Sequence, residues 1–111
     1  MKRNKHIPLT ETVYYILLAL FKPAHGYLIM QKVEKLSQGE IRMAAGTLYG
    51  AIENLLKWQL IKPVQSEDKR RKVYVITKKG RQILQLDYQR IKHITEITES
   101  KITRREDNEE I

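Results

Sequence analysis

Two short helical patterns followed at once by two short strand patterns constrain this fold more than any other feature of the sequence. Residues 27–36 and residues 46–58 each carry apolar side chains at three- and four-residue spacing, as a helix with one buried face requires. Gly39 lies between them and suits the left-handed conformation at a helix end. The second of these helices has small and polar residues on its other face. This pattern predicts a helix-turn-helix.

Two strand patterns come directly after the second helix of this pair. Residues 60–65 include Pro63, which has no N–H to donate within a sheet and therefore indicates an edge strand. Residues 72–76 are rich in β-branched and aromatic side chains. A charged loop, residues 66–71, joins the two strands. The combination predicts a mainly α fold with a small two-stranded β wing, that is, a winged helix-turn-helix.

Two further helices flank this unit. Thr10 is placed to cap a helix that runs to Leu20 and is apolar on most sides, so we expect this helix to be central. Thr77 is placed to cap a final helix of roughly 25 residues, whose apolar stripe is too long for so small a domain to bury. A second copy of the chain is the simplest cover. The predicted dimerisation residues are Leu84, Tyr88, Ile91, Ile94 and Ile97.

Charge is unevenly distributed along the chain. Lysine and arginine number 21 against 13 aspartate and glutamate residues, which gives a formal net charge of +8. Seven basic residues and no acidic one lie between Lys69 and Arg81, whereas the last six residues carry four carboxylates. The basic excess favours a polyanionic partner, most commonly nucleic acid. We expect four parts: a basic N-terminal arm (1–8), the winged domain (9–77), the dimerisation helix (78–103) and a disordered acidic tail (104–111).

Several kinds of site are not supported by the sequence. The chain has no cysteine, and its three histidines share no ligand spacing, so we expect no metal and no cofactor. The serines lack a nearby histidine and a nucleophile-elbow motif, so we expect no enzyme activity. The longest apolar stretch, residues 13–21, is about half of a bilayer span. Without a secretory pattern either, a cytoplasmic location and no membrane partner are the expectations.

Several segments together resemble the PadR-like family of transcriptional regulators, over about residues 9–90. The resemblance is carried by residues 14–20, by His25-Gly26-Tyr27, by Gly46-Thr47-Leu48-Tyr49 and by residues 70–80. It implies a winged helix whose third helix enters the DNA major groove, a wing that touches the backbone or minor groove, and a dimer built by the C-terminal helix. It also implies repression relieved by an effector, whose class it does not name. Gln59 and Gly50 depart from the family pattern, which has glycine and proline there.

Eight residues are the predicted DNA contacts. Four lie on the third helix and four on the wing: Thr47, Tyr49, Asn54 and Lys57, then Lys69, Arg70, Arg71 and Lys72. The alternatives are a helix cap for Thr47, domain packing for Tyr49, and solvated side chains for the others. Trp58 is expected to fill space between the third helix and the last helix, with ligand stacking as the alternative.

The predicted partners are a pseudo-palindromic double-stranded DNA operator, a second copy of the chain and a small-molecule effector of unknown identity. The competing hypothesis is a winged-helix adaptor that binds another protein and no specific DNA. An RNA-binding role has only the basic charge in its favour, since no aromatic platform on a sheet is predicted.

Overall fold

The computed structural model describes residues 3–104. Four helices and three short strands follow in the order α1 (Glu11–Ala19), β1 (Ala24–His25), α2 (Gly26–Leu36), α3 (Ala45–Lys57), β2 (Ile61–Val64), β3 (Val73–Ile76) and α4 (Lys78–Thr103). The predicted winged helix-turn-helix and the long last helix are therefore confirmed. Of the predicted acidic tail, residues 105–111 lie outside the described part, as do residues 1–2 of the predicted arm.

Side-chain caps fix where three of the helices begin. The Oγ1 of Thr10 accepts a hydrogen bond from Val13 N at 3.1 Å, and the Oγ1 of Thr77 accepts one from Gly80 N at 2.9 Å, as the sequence predicts. His25 caps α2 through Nδ1. At the other end of α2, Gly39 has a φ of 81° and allows the chain to leave the helix.

The sheet has a third strand that the sequence does not predict. Its order is β1-β3-β2, and both pairs are antiparallel. Ala24 lies opposite Tyr74 and His25 lies opposite Val73. A two-residue strand has no periodicity of its own, and its formation depends on β3, almost fifty residues away. Pro63 lies on β2 at the edge of the sheet, as predicted.

The backbone conformation of Gln59 shows what its departure from the family pattern means for the structure. Its φ is 62°, in the left-handed region that glycine adopts without strain, at the tight connection from α3 into β2. This conformation gives a structural reason for the glycine that the family pattern has at this position. The carbonyl of Gln59 accepts a hydrogen bond from Thr77 Oγ1 at 2.7 Å, which ties this connection to the start of α4.

The core lies between the first three helices, the sheet and the first turns of α4. Its most buried members include Leu17, Leu20, Ile29, Leu48, Leu55 and Leu60. Within α4, Ile83 and Leu84 are buried, whereas every residue from Ile91 to Arg104 is exposed. Leu84 was expected on the dimerisation stripe, but it packs in the core of its own chain. The unpartnered part of the stripe therefore begins at Tyr88.

Gly80 allows α4 to pass close to β2. A Cβ at this position would overlap the carbonyl oxygen of Leu60 and lie 2.7 Å from Ile76 Cγ1. Backbone cannot move aside as the end of a flexible side chain can. We expect Gly80→Ala to lower the free energy of unfolding by about 2 kcal/mol. Chemical denaturation measures this, with Gly50→Ala as the control, because a Cβ at the exposed Gly50 meets open space and should stabilise α3 by about 0.5–1 kcal/mol.

The described part of the N-terminal segment lies against the domain. The rings of His6 and Trp58 have centroids 5.4 Å apart, and Leu9 N donates to Asp87 Oδ2 at 3.1 Å. Trp58 was expected between α3 and α4, but it is exposed to 39% and packs against the N-terminal segment. The interaction of Trp58 with α4 is through its backbone carbonyl, which accepts from Lys79 Nζ at 3.0 Å.

His6 makes this docking sensitive to acid. Burial first, and then the charges of Lys79 and Lys5, lower the pKa of His6 below its ordinary 6.5. The folded protein therefore binds fewer protons at His6 than the unfolded chain, so stability should fall as the pH drops below about 6.5. Unfolding curves across this range test the effect. His6→Ala should flatten that part of the pH profile, and an unchanged profile would contradict the assignment.

Candidate nucleic-acid interface

The start of α3 is open to solvent. Ala44 occupies the N-cap position and supplies no side-chain hydrogen bond, and Ala45, Gly46 and Thr47 are all exposed. Thr47 is therefore not a cap, which was the structural alternative for this residue. The first N–H groups of a helix carry a partial positive charge and are a favourable surface for phosphate. Thr47 adds an exposed hydroxyl beside them.

Thr47, Asn54 and Lys57 lie on one face of α3. Their spacing of seven and three residues returns to the same side of a helix, and all three are exposed. Gly50 lies between them on this face, and because it has no side chain the helix backbone there is exposed to solvent. The opposite face, with Leu48, Ile52 and Leu55, is buried in the core. One face thus holds the helix in place, while the other presents hydrogen-bonding groups.

Tyr49 connects α3 to the start of α2. Its ring is about half exposed, and its hydroxyl lies so close to Gly26 that a Cβ there would be 2.5 Å from the oxygen. DNA contact and domain packing, the two alternatives for Tyr49, therefore both have a structural basis. The residue packs against a neighbouring helix, and about half of it is still exposed to solvent.

The wing brings basic side chains to the same place. A cleft of about 420 Å³ separates α2, α3 and the wing, and its lining residues are His25, Gly26, Tyr27, Tyr49, Arg70, Arg71 and Lys72. Three of the four predicted wing residues thus share a cleft with a predicted α3 residue. Lys69 lies on the other side, in a cavity with Leu56 and Pro63 that Arg71 and Lys72 also reach.

Asp68 organises the wing tip. Its Oδ1 accepts from Arg70 N at 3.0 Å, and its carboxylate lies 3.6 Å from Arg70 Nε and 3.9 Å from Arg71 Nε. The side chains of both arginines are mostly exposed, so these ion pairs contribute little to stability. The guanidinium groups are accordingly free to exchange a solvated carboxylate for a phosphate.

Two residues of the cleft were not among the predicted contacts. These are His25 and Tyr27, which the sequence singles out only as part of the His25-Gly26-Tyr27 segment. The structure places both beside the wing, and Tyr27 is exposed to 63%. Strand β1 causes this placement, because its pairing with β3 draws the start of α2 toward the wing.

Two kinds of site, a metal centre and a membrane-spanning helix, can be checked directly in the region that the structure describes. Among residues 3–104, no group of histidine, aspartate and glutamate side chains converges as a metal site would require. Within the same range no helix has the length and apolarity to cross a membrane.

Comparison with known proteins identifies a matching family and one relative of part of the chain. The sequence matches the transcriptional regulator PadR-like family over residues 15–86, which is well over half of the chain. It is 36% identical over 63 residues to a 37.1 kDa protein of transposon TN4556 from Streptomyces fradiae. That stretch covers 57% of this chain and only 17% of the relative.

Solved structures agree with the family match. A PadR-like transcription factor from Bacteroides fragilis has a TM-score of 0.66 at 29% identity, covering 79% of this chain and 86% of that one. A PadR-like transcriptional regulator from Bacillus cereus shares the fold, with a TM-score of 0.67 at 18% identity, covering 87% and 95%. Both of these proteins are regulators of transcription. The chain therefore belongs to the PadR-like family of transcriptional regulators.

Proposed function

We propose that the protein is a dimeric, sequence-specific DNA-binding regulator that represses transcription by occupying a pseudo-palindromic operator. One observation carries the proposal. The cleft between α2, α3 and the wing places Tyr49 together with Arg70, Arg71 and Lys72, beside the exposed start of α3. A helix face with hydrogen-bonding groups, flanked by exposed cations, suits a base-reading helix with a wing on the adjoining backbone.

The exposed stripe of α4 supports a dimer. From Tyr88 onward, this helix leaves five large apolar side chains between 37% and 64% exposed: Tyr88, Ile91, Ile94, Ile97 and Ile102. One helix that projects from a small domain cannot cover such a stripe, and the same stripe on a second copy can. A two-fold dimer would present two α3 helices, so half-sites should lie about one or two helical turns apart, about 10 or 20 base pairs.

Repression is the part of the proposal that this arrangement would explain. A dimer bound across an operator blocks access to it, which is how repression would arise. A small-molecule effector that releases the DNA stays a prediction, as does the cytoplasmic location.

Base reading and backbone binding are separable by two substitutions. We expect Asn54→Ala to change the preferred base at one position of each half-site, because a bidentate amide contact contributes about 1–3 kcal/mol of discrimination. We expect Arg70→Ala to weaken binding to every sequence alike, because a phosphate contact carries no sequence information. Selection of binding sites from a random duplex library, followed by affinity measurements on the selected sequence, tests both.

Lys92→Ala is the matched control, since Lys92 is an exposed cation on α4, outside the proposed interface. It should retain wild-type affinity and preference. Equal effects of Asn54→Ala and Arg70→Ala on selected and random DNA would contradict specific reading. No retained complex at low salt would favour the protein-binding adaptor instead.

A further inference from the structure

His25 occupies the junction between the sheet, α2 and the wing. It pairs with Val73 on β3, it is half-buried, and it caps the following helix. The cap is a hydrogen bond in which Leu28 N donates to His25 Nδ1 at 3.3 Å. Its second ring nitrogen, Nε2, is directed to the wing.

The wing presents a second donor to this ring. The Nη1 of Arg71 lies 3.3 Å from His25 Nε2. A neutral imidazole has one nitrogen that donates and one that accepts, and a guanidinium has donors only. Since the lone pair of Nδ1 accepts from Leu28, the ring hydrogen must lie on Nε2. The pair then brings two donors together, and no hydrogen bond joins them.

The opposite tautomer does not satisfy both contacts either. With the hydrogen on Nδ1, the Nε2 lone pair would accept from Arg71, but Leu28 N would lose its partner and α2 its cap. The ring can therefore serve the cap or the arginine, but not both. The cap lies within the domain, whereas the side chain of Arg71 is 61% exposed and can turn away. The capping tautomer is thus the one that the fold favours.

His25 Nε2–H and Arg71 Nη1 are two neighbouring donors that share no acceptor, and such a pair is suited to binding an anion. The only carboxylate paired with Arg71 among the described residues is Asp68, which lies 3.9 Å from Nε and leaves Nη1 unused. Tyr49, Arg70 and Lys72 line the same cleft and add donors and positive charge. With a small shift of the exposed Arg71 side chain, an anionic oxygen could lie at hydrogen-bond distance from both nitrogens, accept from both groups and remove their mismatch.

We infer that His25 and Arg71 form a clamp for one phosphate of the DNA backbone. The inference rests on the proposed function, and it assigns a ligand contact to a residue that otherwise serves only as a helix cap. The bound oxygen accepts from the neutral imidazole and from the guanidinium. The clamp contacts no base, so it strengthens binding to all sequences alike.

The variant His25→Asn separates the two tasks of the residue. Asparagine is among the best N-cap residues, so α2 keeps its cap, but its side chain is too short to replace the distant Nε2–H. We expect an unfolding midpoint close to that of the wild type and a Kd for the operator raised about 10-fold, as for the loss of a hydrogen bond to a charged group. The slope of log Kd against log salt should not change, because the lost donor is uncharged.

Arg71→Ala provides the comparison. It should raise Kd and also reduce the salt slope, by about 1 for each protomer in contact. In the double variant the two effects should be less than multiplicative, since both groups hold one oxygen. Wild-type affinity in His25→Asn, or fully multiplicative effects, would overturn the clamp. Absence of DNA binding by the wild-type protein would instead overturn the proposed function.

The tautomer can be read directly from the wild-type protein. Nitrogen NMR of His25 in mildly alkaline buffer should show hydrogen on Nε2 and a bare Nδ1, with the Nε2 signal displaced when operator duplex is added. Inorganic phosphate alone, at matched ionic strength, should leave the signal in place. Hydrogen on Nδ1 would overturn the inference, and an equal displacement by phosphate would assign the clamp to free phosphate rather than to DNA.

Discussion

Replacing Asp87 with alanine is expected to lower the free energy of unfolding by about 3 kcal/mol. Asp87 is fully buried in α4. Its Oδ2 accepts from Leu9 N at 3.1 Å, and its Oδ1 accepts from Arg90 Nε. Alanine would leave a partly buried N–H and a mostly buried guanidinium without their acceptor, and it would open a cavity where the carboxylate lies.

The neighbours of Asp87 respond to its charge. The hydrogen bond to Asp87 raises the pKa of Arg90, and burial followed by the negative charge of Asp87 raises the pKa of Tyr14. Asp87 therefore joins the N-terminal segment to α4 and lies beside α1. Because α4 would carry the dimer, the same contacts would help to set the angle between the two DNA-binding domains.

Chemical denaturation measures the effect, and Glu96→Ala is the matched control. Glu96 is an exposed carboxylate on the same helix, and its removal should change stability by less than about 0.5 kcal/mol. Asp87→Asn should fall between the two, since its amide oxygen can still accept from Leu9 N. If Asp87→Ala proved as stable as the Glu96 variant, the buried carboxylate would have no role in holding the helix.

DNA affinity is expected to fall about 10³–10⁵-fold when salt is raised from 50 to 200 mM. Three wing cations of each protomer line the cleft, and two wings on one operator would neutralise about six phosphates. Each neutralised phosphate releases condensed counterions, and concentrated salt opposes that release. Fluorescence anisotropy on a labelled operator gives the slope of log Kd against log salt.

Substitutions in the wing test whether its cations cause the slope of log Kd against log salt. Arg70→Ala should reduce its magnitude by about 1 for each protomer in contact, while Lys92→Ala on α4 should leave it unchanged. A wild-type slope with a magnitude below about 2 would mean that hardly any phosphates are contacted. That result would contradict a wing that lies along the backbone.

The sequence predicts those features that depend on neighbouring residues. The apolar spacing of α2 and α3, the β-branched run of β3 and the caps Thr10 and Thr77 are all local patterns, and each was confirmed. The predicted DNA contacts on α3 are exposed because the same spacing that buries Leu48 and Leu55 turns Thr47 and Asn54 outward.

Features that depend on distant residues were missed. Strand β1 exists because β3 pairs with it, and without β1 the place of His25 in the cleft cannot be foreseen. No local pattern predicts that Asp87 is buried, because its burial depends on the N–H of Leu9 and the guanidinium of Arg90. Leu84 continues the exposed stripe in sequence, but the domain covers it.

A single cysteine placed on α3 offers the most direct test of the interface. The natural chain has no cysteine, so Asn54→Cys can carry a DNA-cleaving iron chelate as its only label. We expect cleavage of the bound operator at two clusters about one or two helical turns apart, on the major-groove side. The same chelate on Gln89→Cys, an exposed position on α4, should give little cleavage. Bound DNA that is left intact by the α3 label, or is cut equally by the α4 label, would contradict the account.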